Sequence, residues 1–303
     1  MYLDNNSIKL SEDKRENILK HDGKYYQVDF LNEDGRYVHG GNGIVFKITN
    51  EQENQEFVIK FLKFPEQARE TDWKIKKRIK RFEREIEALF VARTNEISNI
   101  VKIEFSGSEP IDGFDFQYYV MQKCECTLNH YLAKNENELD IYQKTLLCHK
   151  ILLGIKGLHE YKIYHRDIKH DNIYFIGNEP YIGDLGLAYY RDSDVMINER
   201  GDLIGPSGWF SPEAINKYLV EKSTNIYGFD CVIDEKSEVF QLGKLFWYIY
   251  QGNIPIGQVI LEDFIPTDTR LFELLFRMLR YSKGQRINSD TVAQEITTYL
   301  SAN

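Results

Sequence analysis

Two apolar stretches, KILLGIKGLHEYKI and IYF, enclose the run YHRDIKHDN at residues 164–172. The first continues a helical spacing of apolar residues that runs from Leu146 to Tyr161, and the second is β-prone. A polar run fixed between a helix and a strand is either a solvated turn or a place where charge is held for chemistry. This segment constrains the fold most, because it concentrates acids, bases and an amide where helix must give way to strand.

The chain has 303 residues, enough for one large domain or two packed lobes. A net charge of −9 argues against nucleic acid as the main partner. No apolar run is long enough to span a bilayer; LFWYIY has the length of a core segment. The first residues, MYLDNNSIKLSEDKREN, lack the pattern of a signal peptide. Cys124, Cys126, Cys148 and Cys231 form no CxxC pair, so the expectation is reduced thiols, no zinc site and a cytoplasmic location.

Residues 1–35 read as a mixed lead segment, with a strand at KYYQVDFL and a turn at NEDG. GIVFKIT and EFVIKFL follow as a hairpin pair. Next comes a helix, EQARETDWKIKKRIKRFEREIEALFVA, with apolar residues at Ile75, Ile79, Phe82, Ile86 and Leu89. Its basic run from Lys74 to Arg84 is expected to be a solvated face. NIVKIEFSG and FQYYVMQ read as strands. After Cys126 the chain becomes helical, with further helices at Val239–Tyr250, RLFELLFRMLR and DTVAQEITTYL. The change of character near residue 122 predicts an α+β protein of two lobes.

HGGNGIV, residues 39–45, offers glycines that let peptide N–H groups approach a phosphate, or simply a Gly-Asn-Gly hairpin turn. Lys60 lies in the strand EFVIK, and Glu83, Glu85 and Glu87 lie on the helix after it. In that order, a glycine loop, a strand lysine and a helix glutamate make a phosphate clamp in which the acid holds the lysine. Asp167, Asn172 and Asp184 of IGDLGLA supply oxygen ligands suited to Mg²⁺, with one acid left for an incoming hydroxyl.

Taken together, GGNGIV, FVIK, REI, HRDIKHDN, DLG and SPE resemble the motif series of the eukaryotic-type (Hanks-type) Ser/Thr protein kinase family, over about Tyr37 to Leu300. The resemblance implies a bilobal protein-kinase fold, with a β-rich N-lobe at 36–121 carrying one long helix, a hinge at 122–126 and a mainly helical C-lobe at 127–303. It implies ATP and Mg²⁺ as cofactors and a protein substrate with a Ser or Thr acceptor, and the acidic charge with the lack of a spanning run leaves nucleic acid and membrane unexpected as partners. By the same resemblance Lys60, paired with Glu85, contacts the nucleotide phosphates beneath the loop of Gly40, Gly41 and Gly43. Asp167 is the base, Lys169 steadies the γ-phosphate, and Asn172 and Asp184 bind metal. Adenine packs on Val45, Val58 and Tyr174 and bonds the backbone from Gln122 to Cys124, after a gatekeeper-like Met121. Cys124 serves fit, not nucleophilic chemistry. Arg286 in GQRI is the expected partner of Glu213 in SPE.

Several positions depart from the family pattern. Val38 replaces the first loop glycine, Val58 an alanine, Leu185 a phenylalanine, His170 a proline and Glu238 an aspartate. Pro206 stands where a threonine hydroxyl ordinarily ties the catalytic loop to the substrate platform, Gly205–Glu213. Arg166 beside Asp167 implies a balancing charge, supplied by an acid of the 184–213 segment or by phosphorylated Ser193. The long stretch at 214–237 is either a surface insertion or an element for a regulatory partner. The competing functions are a nucleotide-binding pseudokinase and a small-molecule kinase.

Overall fold

The computed structural model describes residues 1–40, 42–50, 52–70, 72–136, 138–191, 204–220 and 228–302. The chain forms two compact units, Met1–Thr94 with Val101–Lys123, and Asn95–Ile100 with Cys124–Asn303. The first is rich in strands and the second in helices.

The first unit contains β1 (Tyr2–Asp4), β2 (Ser7–Lys9), β3 (Ile18–His21), β4 (Lys24–Asp29), β5 (Val38–His39), β6 (Gly43–Asn50) and β7 (Gln55–Leu62). Helix α1 (Trp73–Thr94) and strands β8 (Ile103–Ile111) and β9 (Phe114–Gln122) complete it. Seven strands form an antiparallel sheet in the order β3-β4-β6-β7-β9-β8, with β5 also paired to β6. Both faces of β7 are buried, which is why FVIKFL reads as a continuous apolar run. On one face Tyr119 packs its ring against Phe82 of α1. On the other, Ile44, Phe46, Ile59, Phe61 and Val120 join a core completed by Ile8, Leu10, Leu19, Tyr26 and Val28.

Residues 1–35 thus continue the sheet and cover its outer face. β3 pairs with β4, β4 with β6, and the His21 ring on β3 stacks 4.1 Å from Phe105 of β8. Periodicity reveals only β4 here, because β1, β2 and β3 are too short and too polar to show a pattern.

NIVKIEFSG, expected as one strand, is divided between the units. Asn99 adopts φ +60, and its amide donates to Pro180 O at 2.9 Å. Ile100 bridges Ile182 in the second unit, so the strand proper begins only at Ile103.

The second unit contains β10 (Cys126–Thr127), α2 (Leu128–Lys134), α3 (Ile141–Glu160), β11 (Ile163–Tyr164), β12 (Ile173–Ile176), β13 (Glu179–Ile182) and β14 (Tyr189–Tyr190). Helices α4 (Pro212–Val220), α5 (Glu235–Gln251), α6 (Thr269–Met278) and α7 (Ser289–Ala302) follow. Caps set the boundaries that periodicity misplaces by a turn. Asp140 forms a capping box with Gln143 and starts α3 at Ile141. Asp234 does the same with Ser237 for α5, which Gly252 ends in the left-handed conformation. The core of this unit is centred on α3 and α5, including Ile151, Leu152, Ile155, Leu242, Phe246 and Trp247.

The fully buried Leu19 tests whether the first 35 residues are structural. Leu19→Ala should lower stability by about 3 kcal/mol in urea unfolding. A dispensable lead would give a change within about 0.5 kcal/mol.

Candidate active site

β-strand register places four of the candidate side chains, and a fifth residue beside them. Val45 lies opposite Lys60, Lys60 opposite Tyr119 and Val58 opposite Met121. Directly opposed and alternate residues share one face of a sheet, so Val45, Val58, Lys60, Tyr119 and Met121 line a single surface. Lys60 Nζ donates to both carboxylate oxygens of Glu85, at 2.8 and 3.0 Å. The Tyr119 hydroxyl donates to Glu85 Oε1 at 2.9 Å. Glu85 is therefore held by the strand lysine, whereas Glu83 pairs with Arg69. Tyr119 belongs to none of the sequence motifs. Its signal is positional, since it is the cross-strand neighbour of Lys60 and visible only once register is known.

β5 and β6 form the glycine-rich hairpin, with Val38 opposite Val45. Gly40 N–H donates to Gly43 O at 2.9 Å, and Lys63 Nζ donates to Gly40 O at 2.9 Å. At Gly43 a Cβ would lie 2.8 Å from Phe61 O and 2.9 Å from Lys60 Cγ, so only glycine lets the hairpin close over the lysine. Gly41 lies outside the described residues, as do Ser193 and the acids at 192, 194, 199 and 202. The basic face of α1 is partly solvated: Lys74 and Arg78 are exposed, but Arg84 is buried.

In the second unit the polar run is neither a solvated turn nor a loose loop. His165, Arg166, Asp167 and Asn172 are all buried. Asp167 N–H donates to His165 Nδ1 at 3.1 Å, while His165 Nε2 lies 3.0 Å from Gly183 O. That pairing places the imidazole proton on Nε2. Arg166 adopts φ +65, a left-handed backbone costing about 1–3 kcal/mol for such a residue. Its N–H donates to Glu238 Oε1 at 2.6 Å, and Glu238 Oε2 lies 2.6 Å from His159 Nε2. The Arg166 guanidinium stacks 3.9 Å over the Tyr189 ring, on the strand that pairs with Tyr164. Glu238, longer than the usual aspartate, thereby reaches a second partner in α3.

Asp167 Oδ2 accepts from Lys169 Nζ at 3.2 Å and from Asn172 Nδ2 at 2.9 Å. Asn172 Nδ2 also donates to Asp167 O at 2.8 Å. With its NH₂ turned to Asp167, the Asn172 amide offers its oxygen as the remaining ligand atom. Burial pushes the Asp167 carboxyl above its ordinary value and the Asp184 charge adds to the rise, against the pull of Lys169, His165 and Asn172. Asp184 also has a left-handed backbone, φ +55. Two nearby carboxylates and an amide oxygen form a donor set that fits Mg²⁺, a hard cation.

The expected partnership of Glu213 with Arg286 is present: the guanidinium donates to both carboxylate oxygens at 3.0 and 3.2 Å, with the arginine side chain 0% exposed. Tyr174 lies half-buried on β12, opposite Thr127. Gln122 N–H donates to Lys102 O at 2.9 Å. Burial pushes the Cys124 thiol up to about 12, helped by Cys126 and Glu125, so at neutral pH it is no nucleophile.

Two expectations follow from these charges. Removing one member of a buried pair strands the other, so Glu85→Leu should cost about 3 kcal/mol, and adding Lys60→Met should recover most of it. Urea unfolding of both variants checks this, and equal losses would contradict it. An unfolded aspartate titrates near about 3.9. A raised folded value means the folded chain binds the proton more readily, so the stability linked to this proton is present at low pH and lost as pH rises through the folded value. Asp167→Asn should therefore leave the thermal midpoint at pH 7 unchanged or raised without metal, and a fall of several degrees would oppose this.

Comparison with known proteins agrees with this geometry. The protein kinase domain family matches residues 38–296. The chain is 25% identical over 295 residues to the probable serine/threonine-protein kinase kinX of Dictyostelium discoideum, covering 92% of this chain and 24% of that protein. It is 30% identical over 210 residues to the serine/threonine-protein kinase PrkC of Bacillus subtilis, covering 66% of this chain and 30% of that protein. The dual specificity protein kinase TTK of Mus musculus is 22% identical over 172 residues, 55% of this chain and 20% of that protein. The chain thus spans less than a third of the length of each of these relatives. With the family match over most of its length and the motif residues in these positions, the chain belongs to the protein kinase domain family.

Proposed function

We propose that this kinase domain transfers the γ-phosphoryl group of ATP to serine or threonine hydroxyls of proteins, its own chain included, with Mg²⁺ as cofactor. The observation that carries the proposal is the Asp167–Lys169–Asn172 cluster, in which a buried carboxylate is held by an ammonium and an amide. Lys169 also favours Ser/Thr over Tyr, since tyrosine kinases do not usually carry a lysine there.

In this mechanism Lys60, oriented by Glu85 and Tyr119, binds the α- and β-phosphates. Asp167 orients the acceptor hydroxyl and takes its proton as the new O–P bond forms and the bond to the leaving ADP breaks. Lys169 offsets charge on the transferring group. Asn172 and Asp184 would hold Mg²⁺, which supplies charge neutralisation at the phosphate oxygens. Little covalent chemistry is asked of the protein, so positioning and electrostatics supply the rate.

We also propose a cytoplasmic location, supported by four free thiols. A regulatory partner at 214–237 is supported by exposed Leu219, Phe229 and Val232; residues 221–227 of that stretch lie outside those described.

The test is transfer of labelled γ-phosphate from Mg·ATP to the chain itself and to histone, followed by acid hydrolysis to identify the labelled amino acid. Label on serine or threonine, reduced by roughly a thousandfold in Asp167→Asn, is expected. Label on tyrosine would overturn the specificity. No label with nucleotide binding intact would overturn transfer and favour the pseudokinase.

A further inference from the structure

His170 occupies a catalytic-loop position where the family usually has proline, and nothing in the mechanism above uses its ring. The ring meets two others. Its centroid is 5.1 Å from Trp209 and 4.9 Å from Tyr248, and Trp209 lies 5.9 Å from Tyr248, all three pairs edge-to-face. The three come from separate parts of the unit: the catalytic loop, the segment that precedes α4, and α5. Edge-to-face contact sets ring orientation as well as filling space.

Each partner is itself anchored. Trp209 is buried, and its backbone N–H donates to Pro206 O at 3.0 Å. Lys244 of α5 donates to Gly208 O at 2.8 Å. The Tyr248 hydroxyl donates to Asn129 Oδ1 of α2 at 2.9 Å. Gly205, at φ +113, passes so close to the catalytic loop that a Cβ there would lie 3.3 Å from Arg166 O. The segment therefore runs against the loop, yet Pro206 has no hydroxyl with which to bond it.

We propose that His170 is a positioning residue: its ring, held against Trp209 and Tyr248, fixes the acceptor-binding segment 205–211 to the catalytic loop, replacing the hydroxyl tie that Pro206 cannot make. The proposal rests on the protein kinase reading, since only then does the segment receive an acceptor. Two departures from the family pattern, His170 and Pro206, become a single exchange of one tie for another. A ring that merely filled the core would affect nucleotide and acceptor alike. A ring that orients the platform affects the acceptor selectively.

The experiment compares wild type, His170→Ala, His170→Phe and the double variant His170→Ala/Pro206→Thr in the full chain, with histone as acceptor. For His170→Ala the KM for histone should rise about tenfold, from the loss of two ring pairs, while the KM for ATP stays within about twofold. His170→Phe keeps the ring and should restore the wild-type KM; Pro206→Thr should recover much of the loss by returning a hydroxyl. Equal changes in both KM values, or none, would overturn the proposal. Amide hydrogen exchange gives a readout independent of transfer: amides at 207–211 should exchange about tenfold faster in His170→Ala, and not in His170→Phe. Wild type that transfers no phosphate would sink the kinase reading alone, and the exchange rates would then decide the tie. Unchanged exchange in His170→Ala would overturn it.

Discussion

The Glu238 carboxylate, 0% exposed within α5, is the interaction on which the second unit's chemistry depends. It accepts the Arg166 N–H and faces the His159 ring of α3. Arg166 has a backbone conformation that a bulky residue does not hold unaided, and Asp167 is the next residue. A charge-assisted hydrogen bond in a dry environment is strong enough to over-determine that conformation. The direction in which Asp167 presents its carboxylate follows from a bond made to its neighbour by a residue far away in sequence.

Two further buried glutamates follow the same logic. Glu213 is clamped by Arg286, accepts from the Ser237 hydroxyl at 2.9 Å and so joins the start of α4 to the start of α5. Glu85 holds Lys60 in the first unit. Both oxygens of each of these three carboxylates meet a cation, a donor or an imidazole nitrogen, as burial of charge requires. Such pairs contribute little net stability beside an apolar core of equal volume. Their consequence is orientation, which is what phosphoryl transfer asks of a protein.

Much of the site was legible in the sequence because its chemistry demands particular residue types in a particular order. Lys60 in its strand, Glu85 on the following helix, Asp167 and Asn172 in one short run, and the Glu213–Arg286 pair could all be named from motif order. The unnamed contributors act through geometry. Tyr119 matters because register sets it opposite Lys60, and His159 because the extra methylene of Glu238 lets the carboxylate reach it. The ring cluster of His170, Trp209 and Tyr248 joins residues that no local pattern relates. In the fold, the long periodic helices and the β6–β7 hairpin were visible, with ends shifted by the Asp140 and Asp234 caps. The role of residues 1–35 was not, since short polar strands reveal themselves only through the face they cover. NIVKIEFSG misled because one apolar run serves two units, divided after Asn99 turns the backbone.

Whether a buried carboxylate on α5 sets the catalytic loop is decided at Glu238 itself. Glu238→Ala would be compared with Glu238→Asp in steady-state transfer from Mg·ATP, with circular dichroism to verify folding. Aspartate keeps the charge and should retain transfer within about tenfold. Alanine should lower kcat at least about a hundredfold, a loss of some 2.7 kcal/mol of transition-state stabilisation. A folded Glu238→Ala protein that transfers phosphate at the wild-type rate would contradict the account.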